Sequence, residues 1–401
     1  MLKVIPVKAL KLGMFVNSIQ ASWIENPFWR KSFLLDDKDD LQKLLTSNIT
    51  SIEIDTDKGA DVNIDPPPVE LEAKQSIVID TEYTPQKITI KATSASEERI
   101  NATKLISASK QAVASMFGEA RMGKAINAAD ALPLVNGIVD SVSRNEGAIT
   151  SLVRLKTKDD YTYLHSVAVC ALMIALAKEL GLNDEQVRQA GMAGLFHDIG
   201  KMAVSNDVLN KPGALSDEEF SLVKGHPEKG YLILKGGMHI DEVSLDVCLH
   251  HHEKIDGSGY PHRLQGDEIS LFAKMGAVCD VYDAITSNRP YKLGWEPSIS
   301  LQRMAKWTSH FDQTVFKAFV KCVGIYPIGS LVKLKSGRLA VVIDQSASSL
   351  LTPIVKVFFS TKSKIRIPQE IIDLSKLVGQ DQVLGHEDPR AWDIKDLNTM
   401  W

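Results

Sequence analysis

From about residue 125 to residue 325, nearly every segment carries apolar residues at helical spacing and is punctuated by a glycine, a proline or a capping residue. The middle of the chain is therefore expected to fold as packed helices. Asn183-Asp184-Glu185-Gln186 and Ser216-Asp217-Glu218-Glu219 each set a cap residue three before Gln or Glu, the pattern of a capping box. Gly181 supplies a stop for the helix before the first of them. The flanks differ in texture. Met14-Phe15-Val16, Ser32-Phe33-Leu34-Leu35 and Ser51-Ile52-Glu53-Ile54 read as short strands, with one helix where Asp36-Asp37-Lys38-Asp39-Asp40 leads into Leu41, Leu44 and Leu45. Asp65-Pro66-Pro67-Pro68 reads as a stiff linker. After Gly324-Ile325-Tyr326-Pro327, three more strands are expected at 331–334, 339–343 and 354–359, with Ser336-Gly337 as a turn. The expected fold is mainly α: a helical domain at 125–328, a small α+β N-terminal domain at 1–120 and a small β-rich segment at 329–401.

A chain of 401 residues is long for one core, which agrees with two or three domains. A net charge of −4 gives no global attraction for polyanions, so a duplex nucleic acid is not an expected partner. The opening MLKVIPVKALKLGMF has no apolar run of signal-peptide length and no membrane-length apolar run follows, so a cytoplasmic location is expected, away from the membrane. Cys170, Cys248, Cys279 and Cys322 are far apart in helical segments and read as buried free thiols.

The chemistry concentrates in the helical domain. His197-Asp198 follows an apolar helix and precedes Ile199-Gly200-Lys201. Imidazole offers one neutral nitrogen, whereas a carboxylate has two oxygens and can bridge a pair of cations. Alone the dipeptide is weak. Its companions are His165, His226 before Pro227, the run His250-His251-His252-Glu253, and Asp280; seven of the ten histidines fall between 165 and 252. Two divalent ions about 3.5–4 Å apart can activate water and stabilise attack on phosphorus, and mixed imidazole and carboxylate ligands suit iron, manganese or zinc better than calcium or magnesium. In Gly257-Ser258-Gly259-Tyr260-Pro261 the glycines allow close backbone approach to a ligand, and Tyr260 offers a face for stacking a base.

His197-Asp198, the segment HHExxDGSGYP and Asp280-Val281-Tyr282-Asp283-Ala284, in this order, resemble the HD-GYP family, a branch of the HD phosphohydrolases, over roughly residues 125 to 330. The resemblance implies an all-helical HD-type bundle. It also implies hydrolysis of a cyclic dinucleotide, cyclic di-GMP to linear pGpG or GMP, with the hybrid cyclic GMP-AMP or a non-catalytic receptor as alternatives. Carried over by position, His165, His197 and Asp280 would serve one metal, His226, His251 and His252 a second, and Asp198 would bridge them. The metals implied are two divalent ions, iron or manganese. Lys201 would meet a substrate phosphate and assist the leaving oxygen, and Arg289 and Lys292 would hold phosphates. Gly259 and Tyr260 belong to the substrate loop; Asp283, one turn beyond Asp280, is grouped with them as a supporting side chain rather than a ligand. Family members with three metals carry a glutamate where this chain has Tyr161, and Asp160 points elsewhere on an ideal helix, so two ions are expected. His239, His250, His262, His310 and His386 receive no role, and Glu253 and Asp256 are expected to orient the loop. The N-terminal segment is similar to the small domain of unknown function that precedes HD-GYP domains, and it could receive a signalling partner or a second copy. Its Trp23–Arg30 stretch reads as aromatic core packing.

Overall fold

The protein is described by a computed structural model covering residues 2–19, 32–46, 51–61, 93–152, 161–209, 211, 213–287, 294–346, 349–377 and 379–401. The linker prolines, the Trp23–Arg30 stretch, Asp160, Arg289 and Lys292 lie outside the described residues. Contacts divide the chain into two compact units, Met1–Lys91 and Ala92–Trp401.

The first unit is an antiparallel sheet with a helix. Strands β1 (Leu2–Pro6), β2 (Phe15–Ile19) and β3 (Phe33–Leu34) are followed by α1 (Lys38–Thr46) and β4 (Ser51–Asp55). The sheet order is β1-β4-β2-β3, and Ile5 pairs with Ile52. Alternation in β4 turns Ile52 and Ile54 into a core with Ile5, Val16, Phe33 and Leu44. Strand β1 escapes the sequence pattern because it is an edge strand whose Leu2 and Val4 remain exposed.

The second unit begins with α2 (Ala95–Arg121), capped by Ser94. By its contacts this helix packs within the second unit. The reason is its own stripe: Ala102, Leu105, Val113, Met116, Phe117 and Ala120 recur at helical spacing and are all buried. The bundle continues with α3 (Leu132–Arg144), α4 (Glu146–Leu152), α5 (Tyr161–Glu179) and α6 (Asp184–Phe196). Short helices α7 (Asn206–Leu209), α8 (Asp217–Lys224), α9 (His226–Lys235) and α10 (Glu242–His250) follow. The bundle closes with α11 (Leu271–Thr286), α12 (Pro297–Met304) and α13 (Gln313–Val323). Both expected capping boxes form, at Asn183 and at Ser216. Helix α5 is buried at every residue from Leu164 to Ala177, so it is the central helix of the unit and carries His165 into the interior.

The C-terminal sheet comprises β5 (Leu331–Leu334), β6 (Arg338–Asp344), β7 (Ile354–Ser360), β8 (Ile365–Asp373) and β9 (Val383–His386), in the order β8-β7-β6-β5-β9. Its central strands are covered on both faces, Val332, Val342 and Val357 on one and Leu331, Val341 and Phe358 on the other. That explains why 339–343 reads as one apolar run. The sequence did not suggest β8, which contains Pro368; it lies at a sheet edge, where the missing N–H is tolerated. All four cysteines are free and buried. Among the described residues, no helix is long and apolar enough to cross a membrane.

A buried ion pair fixes the start of α2. Both oxygens of the fully buried Glu98 carboxylate accept from Arg144, at 2.7 and 3.0 Å, and Ser141 Oγ donates to the same group at 2.7 Å. Burial alone would raise the Glu98 pKa, but Arg144 and Ser141 outweigh it and hold it below its usual value. The stabilisation is therefore present above the ordinary glutamate pKa and is lost as pH falls through the depressed folded value. Glu98→Ala should cost about 3 kcal/mol, because Arg144 loses its partner in a mostly buried setting. Thermal unfolding checks this, and an unchanged melting temperature would contradict it.

Candidate metal centre

The backbone brings the candidate ligands together before any side chain acts. Helix α6 ends at Phe196, His197 is its C-cap, and Asp198 leads into a tight turn, Ile199–Ala203. A β-carbon on Gly200 would lie 1.8 Å from His226 O and 2.5 Å from Gly230 N. One on Gly230 would lie 2.5 Å from Cys248 Sγ. The turn after Asp198 is thus docked backbone to backbone on the first turn of α9, with α10 directly behind. Gly194 plays the same part toward α5, where a β-carbon would meet Cys170 Cα at 2.9 Å. These contacts place His165, His197, Asp198, His226 and His251 around one point.

The hydrogen bonds fix which atoms face that point. His197 Nδ1 donates to Gly194 O at 2.8 Å, His226 Nδ1 to Val223 O at 2.6 Å and His251 Nδ1 to Val247 O at 2.9 Å. His165 Nδ1 is held by the Asp283 carboxylate at 2.6 Å. With each Nδ1 committed as donor, each Nε2 of a neutral ring presents a lone pair. Those lone pairs converge. The Nε2 atoms of His165 and His197 are 3.2 Å apart, and those of His226 and His251 are 3.4 Å apart. His226 Nε2 is also 3.1 Å from Asp198 Oδ1, a buried oxygen with no hydrogen-bond donor among the described residues.

Acceptors facing acceptors in a buried space require positive charge between them. The donor atoms form two groups, each within 4.8 Å: His165, His197, Asp198 and Asp280, and Asp198, His226, His251 and His252. Asp198 belongs to both. Electrostatics divides them further. Burial pulls the His165 pKa down, but Asp198, Asp280 and Asp283 outweigh it and bring it up to about 10. Burial and neighbouring histidines push His251 well down and His252 down to about 3. One group therefore has excess carboxylate charge, while the other offers neutral imidazoles ready to ligate. Such a donor set fits divalent transition metals.

The remaining expected residues are placed as follows. The Lys201 ammonium contacts the Asp198 carboxylate, with the side chain 24% exposed. Asp283 is buried and turned toward His165, where its carboxylate orients the ring of a candidate ligand. Gly259 lies in the same loop as Tyr260. A β-carbon there would lie 2.5 Å from Glu253 Cα and Lys254 N, so the absence of a side chain lets the loop pack on its own backbone. Tyr260 stacks on His252, with centroids 4.7 Å apart. Glu253 is buried and accepts from three successive backbone N–H groups, His262, Arg263 and Leu264, while Asp256 accepts from Ser258 N at 2.9 Å. His250 pairs with Asp246 and His262, outside both groups. Of Tyr161 only the helical backbone is described. Sequence reasoning missed the Gly200 and Gly230 contact; the only signal was the pair of glycines in Asp198-Ile199-Gly200-Lys201 and His226-Pro227-Glu228-Lys229-Gly230.

Gly200→Ala should separate the Asp198 turn from α9 and move His226 away, because both obstructing groups are backbone. The expected result is loss of at least half the bound metal with the helical signal retained. Elemental analysis beside circular dichroism reads it; full metal occupancy would contradict it.

Family comparison agrees with this geometry. A model described as HD domain matches residues 142–315, and one described as domain of unknown function (DUF3391) matches residues 2–131, running on through α2. The chain is 52% identical over 402 residues to a cyclic di-GMP phosphodiesterase of Pseudomonas aeruginosa, covering 100% of this chain and 96% of that one. It is 45% identical over 127 residues to a cyclic di-GMP phosphodiesterase response regulator of Xanthomonas campestris, covering 31% of this chain and 34% of the relative. It is also 35% identical over 166 residues to a 3'3'-cGAMP-specific phosphodiesterase of Vibrio cholerae, covering 41% of this chain and 38% of that one. An end-to-end relative at that identity, with the HD domain match lying over the helices that carry the histidines, shows that the chain belongs to the HD-GYP family of HD-domain phosphohydrolases.

Proposed function

We propose that this chain is a metal-dependent cyclic dinucleotide phosphodiesterase that hydrolyses cyclic di-GMP to linear pGpG, GMP or both. The observation that carries the reading is the buried Asp198 carboxylate shared by two groups of metal-ligating side chains. The full-length relative that acts on cyclic di-GMP supports the substrate, and the Vibrio relatives make cyclic GMP-AMP the second candidate.

In this reading His165, His197 and Asp280 hold one divalent ion, His226, His251 and His252 hold another, and Asp198 serves both. Bound there, the ions lower the pKa of water and neutralise charge that builds on the phosphate oxygens. The chain's own residues do the rest. Asp283 keeps the His165 ring in the tautomer that ligates. Lys201, fixed beside Asp198 and open on one side, meets the substrate phosphate and supplies a proton toward the leaving oxygen. Arg289 and Lys292 hold phosphate oxygens by charge-assisted hydrogen bonds. Iron or manganese suits the ligands, and Tyr161 in place of a glutamate favours two ions per chain. Four buried free thiols fit a reducing compartment such as the cytoplasm.

Protein loaded anaerobically with iron or manganese should hold two ions by elemental analysis and should hydrolyse cyclic di-GMP in preference to cyclic GMP-AMP when products are resolved by chromatography. Asp198→Ala should abolish turnover and lower metal content while the helical signal persists; full turnover in that variant rules out the shared-carboxylate assignment. Arg289→Ala should instead lower kcat/KM while metal content stays unchanged, by a factor equivalent to about 1.5–3 kcal/mol for a lost charged hydrogen bond. Unchanged efficiency would make Arg289 an ordinary side chain.

A further inference from the structure

A further cation stands beside the metal centre. Lys224 closes α8, two residues before His226, and its ammonium lies 4.9 Å from the centroid of the Tyr260 ring. The same ammonium is 5.8 Å from the centroid of Phe220, one helical turn earlier. Tyr260 in turn stacks on His252, so a continuous series of ring contacts leads from a candidate ligand to Lys224. Lys201 is committed to Asp198 and Lys211 to Glu219, whereas Lys224 is exposed and has no carboxylate partner among the described residues. Phe220 is 52% exposed. A single exposed phenylalanine is ordinary. Here it flanks an uncommitted ammonium at the edge of the metal centre.

We infer that Phe220, Lys224 and Tyr260 form a shelf that takes a guanine base of the substrate. Aromatic faces accept any base by stacking. The lysine adds selectivity, because guanine presents O6 and N7 as adjacent acceptors, whereas adenine has an amino donor in place of O6. A base fits these surroundings better than a second phosphate does. The negative faces of the two rings repel an anion, and the half-exposed Phe220 ring leaves room for a flat heterocycle beside the ammonium. The shelf is a specificity element of the reaction proposed above and rests on that reading.

The test measures binding, so its outcome is separate from whether the protein turns over cyclic di-GMP. GMP and AMP are titrated calorimetrically into full-length, manganese-loaded wild type, Lys224→Met, Lys224→Arg and Phe220→Ala. Wild type should bind GMP about tenfold or more tightly than AMP. Lys224→Met keeps the aliphatic stem but loses the charge, and it should collapse that ratio by weakening GMP alone, with manganese content unchanged. Lys224→Arg should keep the ratio, and Phe220→Ala should weaken both nucleotides. A wild type without preference, or a Lys224→Met ratio like wild type, overturns the inference. Equal weakening of both nucleotides by Lys224→Met also overturns it, by marking a phosphate contact. Wild-type affinities in Phe220→Ala would remove the stacking face. Absence of cyclic di-GMP hydrolysis by wild type would instead overturn the proposed activity and leave the GMP to AMP ratio still readable.

Discussion

A carboxylate sealed from water must be matched by positive charge, and the Asp198 oxygens sit where four histidines also turn their Nε2 atoms. That requirement organises the catalytic half of the molecule. Each histidine has its other nitrogen tied to a carbonyl or a carboxylate, so the rings cannot rotate to relieve the crowding. Lys201 supplies part of the charge from outside, and the carboxylates of Asp280 and Asp283 raise the demand around His165. The arrangement is held in place by the packing of the surrounding helices.

The helices are brought together by close backbone packing around the centre. Helix α5 runs buried through the second unit, and α6 approaches it closely at Gly194. The Asp198 turn and α9 touch through Gly200 and Gly230 without intervening side chains. Glu253 performs a related task farther out, gathering three backbone N–H groups and so holding the loop that presents Tyr260 to His252.

The helical domain and the candidate ligands were legible in the sequence because both are local signals. Capping boxes at Asn183 and Ser216, and the runs His197-Asp198 and His251-His252, announce themselves within a few residues. What escaped was relational. Gly259 packs on the backbone of Glu253 and Lys254, six and five residues away, a contact that no spacing rule encodes. Asp283 sits one turn from Asp280 and shares its helix, but only the position of α5 shows that it faces His165. Strands β1 and β8 were missed because edge strands need neither clean alternation nor a full set of donors, as Pro368 demonstrates. The first residues of α2 look like part of a neighbouring domain until Glu98 finds Arg144.

The glycine contact between the Asp198 turn and α9 has a consequence for metal supply. In small zinc domains the energy of metal binding is the energy of folding, and a chelator unfolds the chain. Here the ligands are brought to one place by interlocked main chain, and a proton on His165 can neutralise part of the carboxylate charge in the absence of a cation. Assembly of the cluster therefore does not wait on an ion. Under the metal-dependent activity proposed above, a cell that runs short of metal would keep a reserve of folded, idle protein, restored by the returning ion without new synthesis.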